Sequence, residues 1–294
     1  MNSDYKKENY LRLSGVTILY NPAPDVLDNL RTYIDNLDKL YIIDNSDVKD
    51  HILLTKIRNL SEKCEVILNA ENYGIATALN QAIKLALHDG FEWLLTMDQD
   101  SYFEDNIYFK AFHEYKNKNE VGLFTPEINE PIYKIRMSSA VTYLPINDIA
   151  YTSASIMNLH ISQKINYFNE KLFIDAVDTD YCLRLLKHKY PIIKILGSPL
   201  IHKVGEKRVI YFPFNKKLIL TEHLAFRHYY ITRNHTYILF KYFLFHPKFV
   251  FLNYYRVIYN LSFELFFNQN RLKILRYTLI GFFHCLTNRF GKLK

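Results

Sequence analysis

Residues 93–101 read Trp-Leu-Leu-Thr-Met-Asp-Gln-Asp-Ser, and they are the most informative stretch of the chain. An apolar run ends abruptly in two carboxylates, Asp98 and Asp100, followed by the hydroxyl of Ser101. The pattern predicts a buried strand that ends at the edge of a sheet, with both acids in the next turn. Such a pair offers hard oxygen ligands, which suit Mg²⁺ or Mn²⁺ carrying a diphosphate. The alternative is an acidic turn that caps a helix, because Asp and Ser are common at turns and N-caps.

The sequence upstream of this stretch alternates between short apolar runs and helical spacing. Strands that alternate with helices indicate βαβ units and a parallel sheet. We predict strands at 15–20, 40–43, 66–68 and 91–97, and helices at 25–37, 53–60 and 75–88.

Polar residues follow each of these predicted strands. They are Asn21, the run Asp44-Asn45-Ser46-Asp47, Asn69 with Asn72, and the 98–101 turn. Ligands of parallel sheets bind outside the carboxyl ends of the strands, so these side chains are expected to converge on one site. No GxGxxG or GxxxxGK[ST] pattern occurs among the eight glycines, which excludes a dinucleotide fingerprint and a P-loop.

The second half is less regular, with strands predicted at 121–125, 138–144, 152–157 and 192–196. Three acids, Asp175, Asp178 and Asp180, precede an apolar helix. Acids in a first helical turn favour the helix dipole, but three of them exceed what capping needs. His202 follows the last predicted strand, where a lone histidine is usually structural.

Charge is distributed unevenly along the 294 residues. Residues 223–294 carry a formal charge of +10, and residues 1–222 carry −3. The basic tail also contains dense aromatic and aliphatic clusters, which favour contact with lipid or protein over base stacking. We therefore expect no nucleic-acid partner. The tail is expected to contact an anionic membrane surface, and its alternative is a helical bundle packed on the catalytic domain or on a second subunit, as in a homodimer.

The cysteines, the N-terminus and the length of the apolar runs bear on the cellular location of the protein. The chain has three distant cysteines, Cys64, Cys182 and Cys285, without CxxC or CxH spacing, which favours reduced thiols. The polar N-terminus does not have the pattern of a signal peptide, and no uncharged run of 18 apolar residues occurs. These features predict a cytoplasmic protein, peripheral at the inner face of the cell membrane.

Several segments together resemble family 2 glycosyltransferases of the rhamnosyltransferase-like type. They occur in the expected order and span roughly residues 15–206. The segments are Val16–Pro22, Ile42–Ser46, Asn72–Asn80, Asp98–Ser101 and Phe173–Arg184, followed by His202 and Gly205. The octet from Arg227 to Asn234 also resembles a segment that recurs in these transferases, so part of the tail is expected to close over the active site.

The resemblance implies an α/β fold of the GT-A type, with a mostly parallel nucleotide-binding sheet flanked by helices. It places a catalytic domain at 1–222, with a donor half at about 14–125 and an acceptor half at about 126–222. The basic, aromatic, helical region 223–294 would follow. It also implies a nucleotide-sugar donor and a divalent metal, Mn²⁺ or Mg²⁺.

The resemblance also assigns roles to individual residues. Asp178 would be the catalytic base, and Asp100 would bind the metal, with His202 as a further ligand. Asp175, Asp180 and Arg184 would support these groups. The residues expected to bind the donor are Asn21, Asp44, Asn72, Gly74 and Asp98.

The sequence departs from the family pattern at three places. Ala154 replaces a usual glycine, Lys187–Tyr190 lacks the glycine often found after the helix, and Val177 stands where many relatives have Glu. These changes concern sugar and acceptor specificity more than chemistry, because the acids remain.

The sequence therefore predicts an inverting glycosyltransferase, with rhamnose from dTDP-rhamnose as the family-type donor. The expected acceptor is a growing, lipid-linked bacterial surface polysaccharide such as an O-antigen or capsule. A UDP-hexose or galactofuranose donor is an alternative within the same fold. A nucleotidyltransferase and a non-catalytic membrane-surface binding protein are alternatives from other classes.

Overall fold

The computed structural model describes residues 12–117, 120–128, 140–145, 148–202, 207–212, 216–221 and 223–293. Nine strands of this part of the chain form one mixed sheet, and two more form a separate hairpin. The sheet strands are β1 (Leu13–Leu19), β2 (Lys39–Asp44), β3 (Cys64–Leu68), β4 (Trp93–Asp98), β5 (Ser101–Phe103), β6 (Leu123–Ile128), β7 (Ala140–Tyr143), β8 (Ser155–Asn158) and β9 (Ile192–His202). The hairpin strands are β10 (Lys207–Phe212) and β11 (Lys216–Thr221).

The strand order is β3-β2-β1-β4-β8-β6-β9-β5, with β7 also paired to β9. Strands β1 to β4 run parallel to one another, as predicted from the alternating pattern. The sheet then changes direction, because β8 runs antiparallel to β4. The start of β8 and the loop before it therefore lie at the same edge as the carboxyl end of β4.

Helices cover both faces of the sheet, which explains why β1, β2 and β4 are nearly continuous apolar runs. One buried cluster joins the sheet to α1, α2 and α4, and another joins it to α3, α5 and α6. The helices of the catalytic part are α1 (Val26–Arg31), α2 (His51–Arg58), α3 (Ile75–His88), α4 (Ile107–Tyr115), α5 (Leu159–Lys164) and α6 (Val177–Lys187).

Two sequence predictions need correction. The predicted helix 25–37 is wrong, because α1 ends at Arg31 and a separate 3₁₀ turn spans Ile34–Asn36. Tyr33 leaves the helical region (φ −133°) and buries its hydroxyl 2.8 Å from Thr17 Oγ1 on β1, a tertiary contact that overrides the helical spacing.

The strand predicted at 192–196 is too short. Gly197 adopts a positive φ of 83°, and the register with β6 shifts there. The chain then continues as strand to His202 and pairs with β5, whereas the sequence predicted neither the three-residue β5 nor the hairpin.

The prediction of helices from about 225 to 286 is confirmed by α7 (Arg227–Tyr242), α8 (Pro247–Phe267) and α9 (Arg271–Leu286). Helices α7 and α8 share a buried cluster with Ala176 and Leu183 of the catalytic part. At Gly281, α9 lies so close to α7 that a methyl group would collide with the backbone carbonyl of Tyr229. Contacts thus cross the proposed division at residue 222, which stays a prediction. Across the described ranges, no helix is both long and apolar enough to span a membrane.

Candidate active site

The ends of β1, β2 and β4 meet at one edge of the sheet. The backbone of Tyr20, after β1, makes two hydrogen bonds with the side chain of Gln99, after β4, at 2.9 and 3.2 Å. Asn21 adopts a left-handed conformation (φ 46°) and donates its N–H to Ser46 Oγ, after β2. The loops that follow these three strands are therefore fixed to one another.

Asp44 ends β2 with a buried carboxylate. Its Oδ1 accepts the backbone N–H of Ser46 at 2.9 Å, and Lys49 Nζ lies 3.5 Å from its Oδ2. Lys49 also donates to the carbonyls of Asp44 and Ser46, so it holds the turn and balances the acid. The sequence analysis did not single out Lys49, because a lysine three residues after a turn carries no distinctive pattern.

The loop before α3 is attached to the same edge. Asn45 Nδ2 donates to the Gly74 carbonyl, and Asn72 Oδ1 accepts the Gly74 N–H. Gly74 has a φ of 85°, and a Cβ there would lie 2.6 Å from the ring and the carbonyl of Phe173. Position 74 therefore requires glycine for both conformation and space.

The two acids of the opening stretch lie at the predicted edge of the sheet, although Asp98 belongs to the strand and not to the turn after it. Asp98 is the last residue of β4, and its N–H donates to Ser153 Oγ in the loop before β8. Asp100 lies in the next turn, and Ser101 is paired in register with His202 of β9. The backbone of His202 is thus beside this turn, while its side chain and Gly205 lie outside the described residues.

A divalent cation fits this donor set. No group of three His, Cys, Asp or Glu side chains with metal-binding geometry occurs among the residues that the structure describes. Mg²⁺ and similar ions, however, are commonly held by one or two carboxylates together with substrate phosphates. Asp98 and Asp100, at an accessible sheet edge, could provide the protein's share of such a site.

The segment before α6 has an unusual backbone. Phe173, Asp175 and Ala176 all have φ close to +60°. The N–H of Ile174 bonds to the Leu172 carbonyl at 2.7 Å, which makes Phe173 the centre of a γ-turn of the rare positive-φ kind. Residues in such conformations cost about 1–3 kcal/mol each and cluster at functional sites.

Asp178 follows this segment in the first turn of α6. Its Oδ1 accepts the Thr179 N–H at 2.7 Å, and it lines a small pocket with Tyr151 and Cys182. Burial, and then the neighbouring charge of Asp175, raises the pKa of Asp178 to about 6. A carboxylate with this pKa is suited to accept a proton near neutral pH.

Helix α7 adds a cation, Arg227, which begins the octet that the sequence analysis expects to close over the active site. Arg227 Nη2 lies 2.9 Å from Asp175 Oδ1, and its Nε lies 3.3 Å from both carboxylate oxygens. Burial lowers the pKa of Arg227, but Asp175 and then Asp98 act against burial, and the net shift is upward. The guanidinium is therefore paired with the loop before α6 and also interacts electrostatically with Asp98 at the end of β4.

Asp180 and Arg184 are separated from this group. The fully buried Asp180 carboxylate bonds to Arg184 Nε (2.8 Å), Lys241 Nζ (2.8 Å) and the Tyr242 hydroxyl (2.9 Å). Both residues line a cleft of about 560 Å³ between α3, α6 and α7. They tie α6 to α7 rather than meeting Asp178, because residues two apart on a helix face different directions.

Ala154 illustrates a departure from the family pattern. It adopts a φ of 60° and is fully buried beside Asp98's partner Ser153. This is the conformation that favours glycine, so the backbone keeps the shape that the usual glycine would permit.

Comparison with known proteins identifies the family. The model for glycosyl transferase family 2 matches residues 14–181, more than half of the chain. The chain belongs to glycosyl transferase family 2. Within the match lie the strand-end acids, the Asn72–Gly74 loop and Asp178.

Two kinds of relative extend the comparison. The chain is 26% identical over 237 residues to the dTDP-rhamnosyl transferase RfbF of Shigella flexneri, covering 75% of this chain and 77% of that protein. Its fold is similar to the mannosyltransferase PcManGT from Pyrobaculum calidifontis, solved with GDP-Man and Mn²⁺ (TM-score 0.59, 11% identity, 95% and 88% coverage). It is also similar to GalNAc-T7 with UDP, GalNAc and Mn²⁺ (TM-score 0.54, 12% identity), covering 66% of this chain and 44% of that one.

These findings confirm the resemblance and the GT-A fold. The roles given to individual side chains stay predictions. Contacts between neighbouring loops connect Asn21, Asp44, Asn72, Gly74 and Asp98 at one edge of the sheet, and Gly74 lies against Phe173 of the segment that leads to Asp175 and Asp178. Asp180 and Arg184 line a separate cleft.

We expect Asp178→Asn to be more stable than the wild type at pH 7. The native pKa of Asp178, about 6, lies above the ordinary value of about 4. The native state therefore binds more protons in this window, and stability falls as pH rises from 4 to 6. Because asparagine removes that cost, urea unfolding should show a gain of about 1–2 kcal/mol at pH 7 that vanishes near pH 4.

Asp180→Asn is the matched control. It removes the fully buried anion that Arg184 and the partly exposed Lys241 share, and it should lose about 3 kcal/mol or more at pH 7. Equal losses in both variants would show that Asp178 is an ordinary structural carboxylate.

Proposed function

We propose that the protein is an inverting transferase that moves a sugar from a nucleoside diphosphate donor to a hydroxyl of a growing glycan. The observation that carries this proposal is the position of Asp178 in a family 2 fold: it lines a pocket with Thr96 of β4, two residues before the strand-end acid Asp98, and burial raises its pKa to about 6. Rhamnose from dTDP-rhamnose is the preferred donor, because the similarity to a dTDP-rhamnosyl transferase extends over three quarters of the chain.

The proposed reaction is a single displacement. The acceptor hydroxyl attacks the anomeric carbon and gives its proton to a carboxylate oxygen of Asp178. The bond between that carbon and the diphosphate oxygen breaks, and the configuration inverts. A bound divalent cation would neutralise the departing diphosphate as a Lewis acid. Asp100 would hold it, together with His202.

Donor binding is assigned to the loops at the sheet edge. The residues are Asn21, Asp44, Asn72, Gly74 and Asp98. The turn after β2 and the loop before α3 are joined through Asn45, so a base and its ribose would meet one continuous surface. A UDP-hexose or galactofuranose donor is the alternative, which the similarity to a UDP-bound structure supports.

The acceptor is proposed to be lipid-linked, as in assembly of a bacterial surface polysaccharide. Helices α8 and α9 expose apolar side chains at helical spacing, and we call this surface the apolar–basic face. Its apolar members are Phe251, Tyr255, Ile258 and Phe266 on α8, and Leu272, Leu275, Leu279, Phe283 and Leu286 on α9. Its basic members are Lys248, Arg256, Arg271, Lys273 and Arg276.

Negative charge is absent from the exposed side of these helices. Glu264 is the single acidic residue of 223–294, and it is buried with its carboxylate 2.9 Å from His228 Nε2. An exposed surface that is both apolar and cationic is suited to the interface of an anionic bilayer. This supports a peripheral position at the inner face of the cell membrane. A second subunit is the other occupant that such a face could take.

The first experiment measures thermal stabilisation by nucleotides. A ligand at 100 times its Kd adds about 2.7 kcal/mol, so dTDP, UDP and GDP can be compared with and without Mn²⁺. We expect metal-dependent stabilisation, strongest with dTDP, that is lost in Asp100→Ala and kept in the surface control Asp28→Ala. Absence of any nucleotide effect in the wild type would contradict the transferase proposal.

The second experiment tests the base. Asp178→Asn should lower transfer at least a thousand-fold while nucleotide binding persists, because only proton acceptance is removed. For the wild type, kcat/KM should fall about tenfold per pH unit below about 6, where Asp178 becomes protonated. Substantial turnover by Asp178→Asn would reject Asp178 as the base, and Asp28→Asn serves as the unaffected control.

The third experiment tests the apolar–basic face with lipid vesicles. Wild-type protein should sediment with phosphatidylglycerol-containing vesicles and much less with pure phosphatidylcholine. Lys273→Glu with Arg276→Glu should weaken binding at least tenfold, since each basic residue near the surface contributes about 1 kcal/mol. Lys56→Glu with Arg58→Glu on α2 is the control for net charge. Unchanged vesicle binding by Lys273→Glu with Arg276→Glu would contradict a membrane role for the face. A wild-type dimer that dissociates in this variant would assign the face to a second subunit.

A further inference from the structure

Arg233 of α7 is a fully buried cation at the centre of three segments. Its Nη2 donates to the carbonyls of Lys171 and Leu172, at 3.3 and 3.2 Å. Its Nη1 donates to the Gly291 carbonyl at 2.8 Å and to the Tyr229 hydroxyl at 3.1 Å. The guanidinium also packs against aromatic rings of α7 and of the segment after α9.

Asn234, the next residue, has a more specific arrangement. Its buried side-chain amide donates to three backbone carbonyls, those of Leu172, Ile174 and Asp175, at 2.8, 2.6 and 2.9 Å. Its Oδ1 accepts Arg233 Nε at 2.9 Å, which orients the amide. Three carbonyls converge on one NH₂ group because of the left-handed backbone at Phe173, Asp175 and Ala176.

This loop, residues 172–176, connects both halves of the proposed site. The Phe173 carbonyl accepts the Ile75 N–H at 2.7 Å, which fixes the first turn of α3 beside Gly74. At its other end, Ala176 is the N-cap residue of α6, two positions before Asp178. Any relaxation of loop 172–176 would therefore move the Asn72–Gly74 loop and the proposed base, Asp178, relative to each other.

The loop's own sequence does not favour its conformation. None of its positive-φ residues is glycine, so the loop is strained and persists because the surrounding structure holds it. The bonds that hold it come mainly from α7, which lies outside the residues matched by the family model.

We propose that Arg233 and Asn234 are positioning residues of the transfer reaction: they hold loop 172–176 in its strained form and thereby set Asp178 against the bound donor. This inference rests on the proposed function. Neither side chain needs to touch the substrates. Their contribution should appear mainly in kcat, because a displaced base affects the chemical step more than it affects donor binding.

The test compares Asn234→Ala with Thr236→Ala. Thr236 is equally buried on α7, but its hydroxyl bonds to Tyr254 on α8 and not to the loop. We expect Asn234→Ala to lower kcat by ten- to a hundred-fold with less than a threefold change in the donor KM. Thr236→Ala, which removes a single hydrogen bond outside the loop, should keep kcat within threefold. If Asn234→Ala folds poorly, Asn234→Ser, which keeps one donor, should give an intermediate kcat.

The pH dependence of kcat/KM distinguishes a role of Asn234 in positioning Asp178 from a role in overall stability alone. A relaxed loop lets water reach Asp178, so the acidic limb of kcat/KM should move from about 6 toward the ordinary carboxyl value in Asn234→Ala. Among the described residues, Asp175, Tyr151 and Cys182 interact electrostatically with Asp178, and the variant leaves all three unchanged. An unmoved limb, or a kcat equal to that of Thr236→Ala, would overturn the proposal.

One measurement does not depend on turnover. The pH dependence of unfolding for Asp178→Asn, compared with its parent, reports the native pKa of Asp178 in any background. This difference should shrink when Asn234→Ala is added. Failure of the proposed function would appear instead as no transfer by the wild type with any nucleotide sugar, while this coupling could still be present.

Discussion

Three backbone carbonyls, those of Leu172, Ile174 and Asp175, point at the amide of one asparagine, Asn234. This convergence maintains the left-handed loop on which the geometry of the site depends. The loop carries Asp178 at one end and braces Gly74 in its middle, through the ring and carbonyl of Phe173. Strain of about 1–3 kcal/mol per residue is therefore stored where two halves of the site meet.

The sheet and the C-terminal helices have complementary roles in this arrangement. The parallel strands bring Asp44 and Asp98 to one edge, since carboxyl ends of parallel strands share an edge. Helix α7 adds the hydrogen bonds from Asn234 to the loop and the Arg227 cation, which is paired with Asp175. Region 223–294 thus contributes to the proposed site through α7 and carries the apolar–basic face on α8 and α9.

Sequence reasoning succeeded where local pattern and tertiary structure agree. Helix α3 has the predicted bounds, and the acids after β4 lie at the sheet edge, because apolar periodicity and strand ends are local signals. It failed where contacts between residues far apart in the sequence set the backbone conformation. Tyr33 interrupts a helical pattern to reach Thr17, and non-glycine residues adopt positive φ because Asn234, some 60 positions away, holds them. The sequence also could not show that Asp178 and Asp180 belong to different sites. That follows from the directions of their side chains on α6 and from the contact of Lys241 with Asp180.

The most direct measurement is a crystal structure of the protein with dTDP and Mn²⁺. We expect the nucleobase between the turn after β2 and the Asn72–Gly74 loop. We also expect the metal on Asp100, and the terminal phosphate directed toward the side where Asp178 lies. A nucleotide bound instead in the cleft between α3, α6 and α7, beside Asp180 and Arg184, would contradict this assignment of the active site.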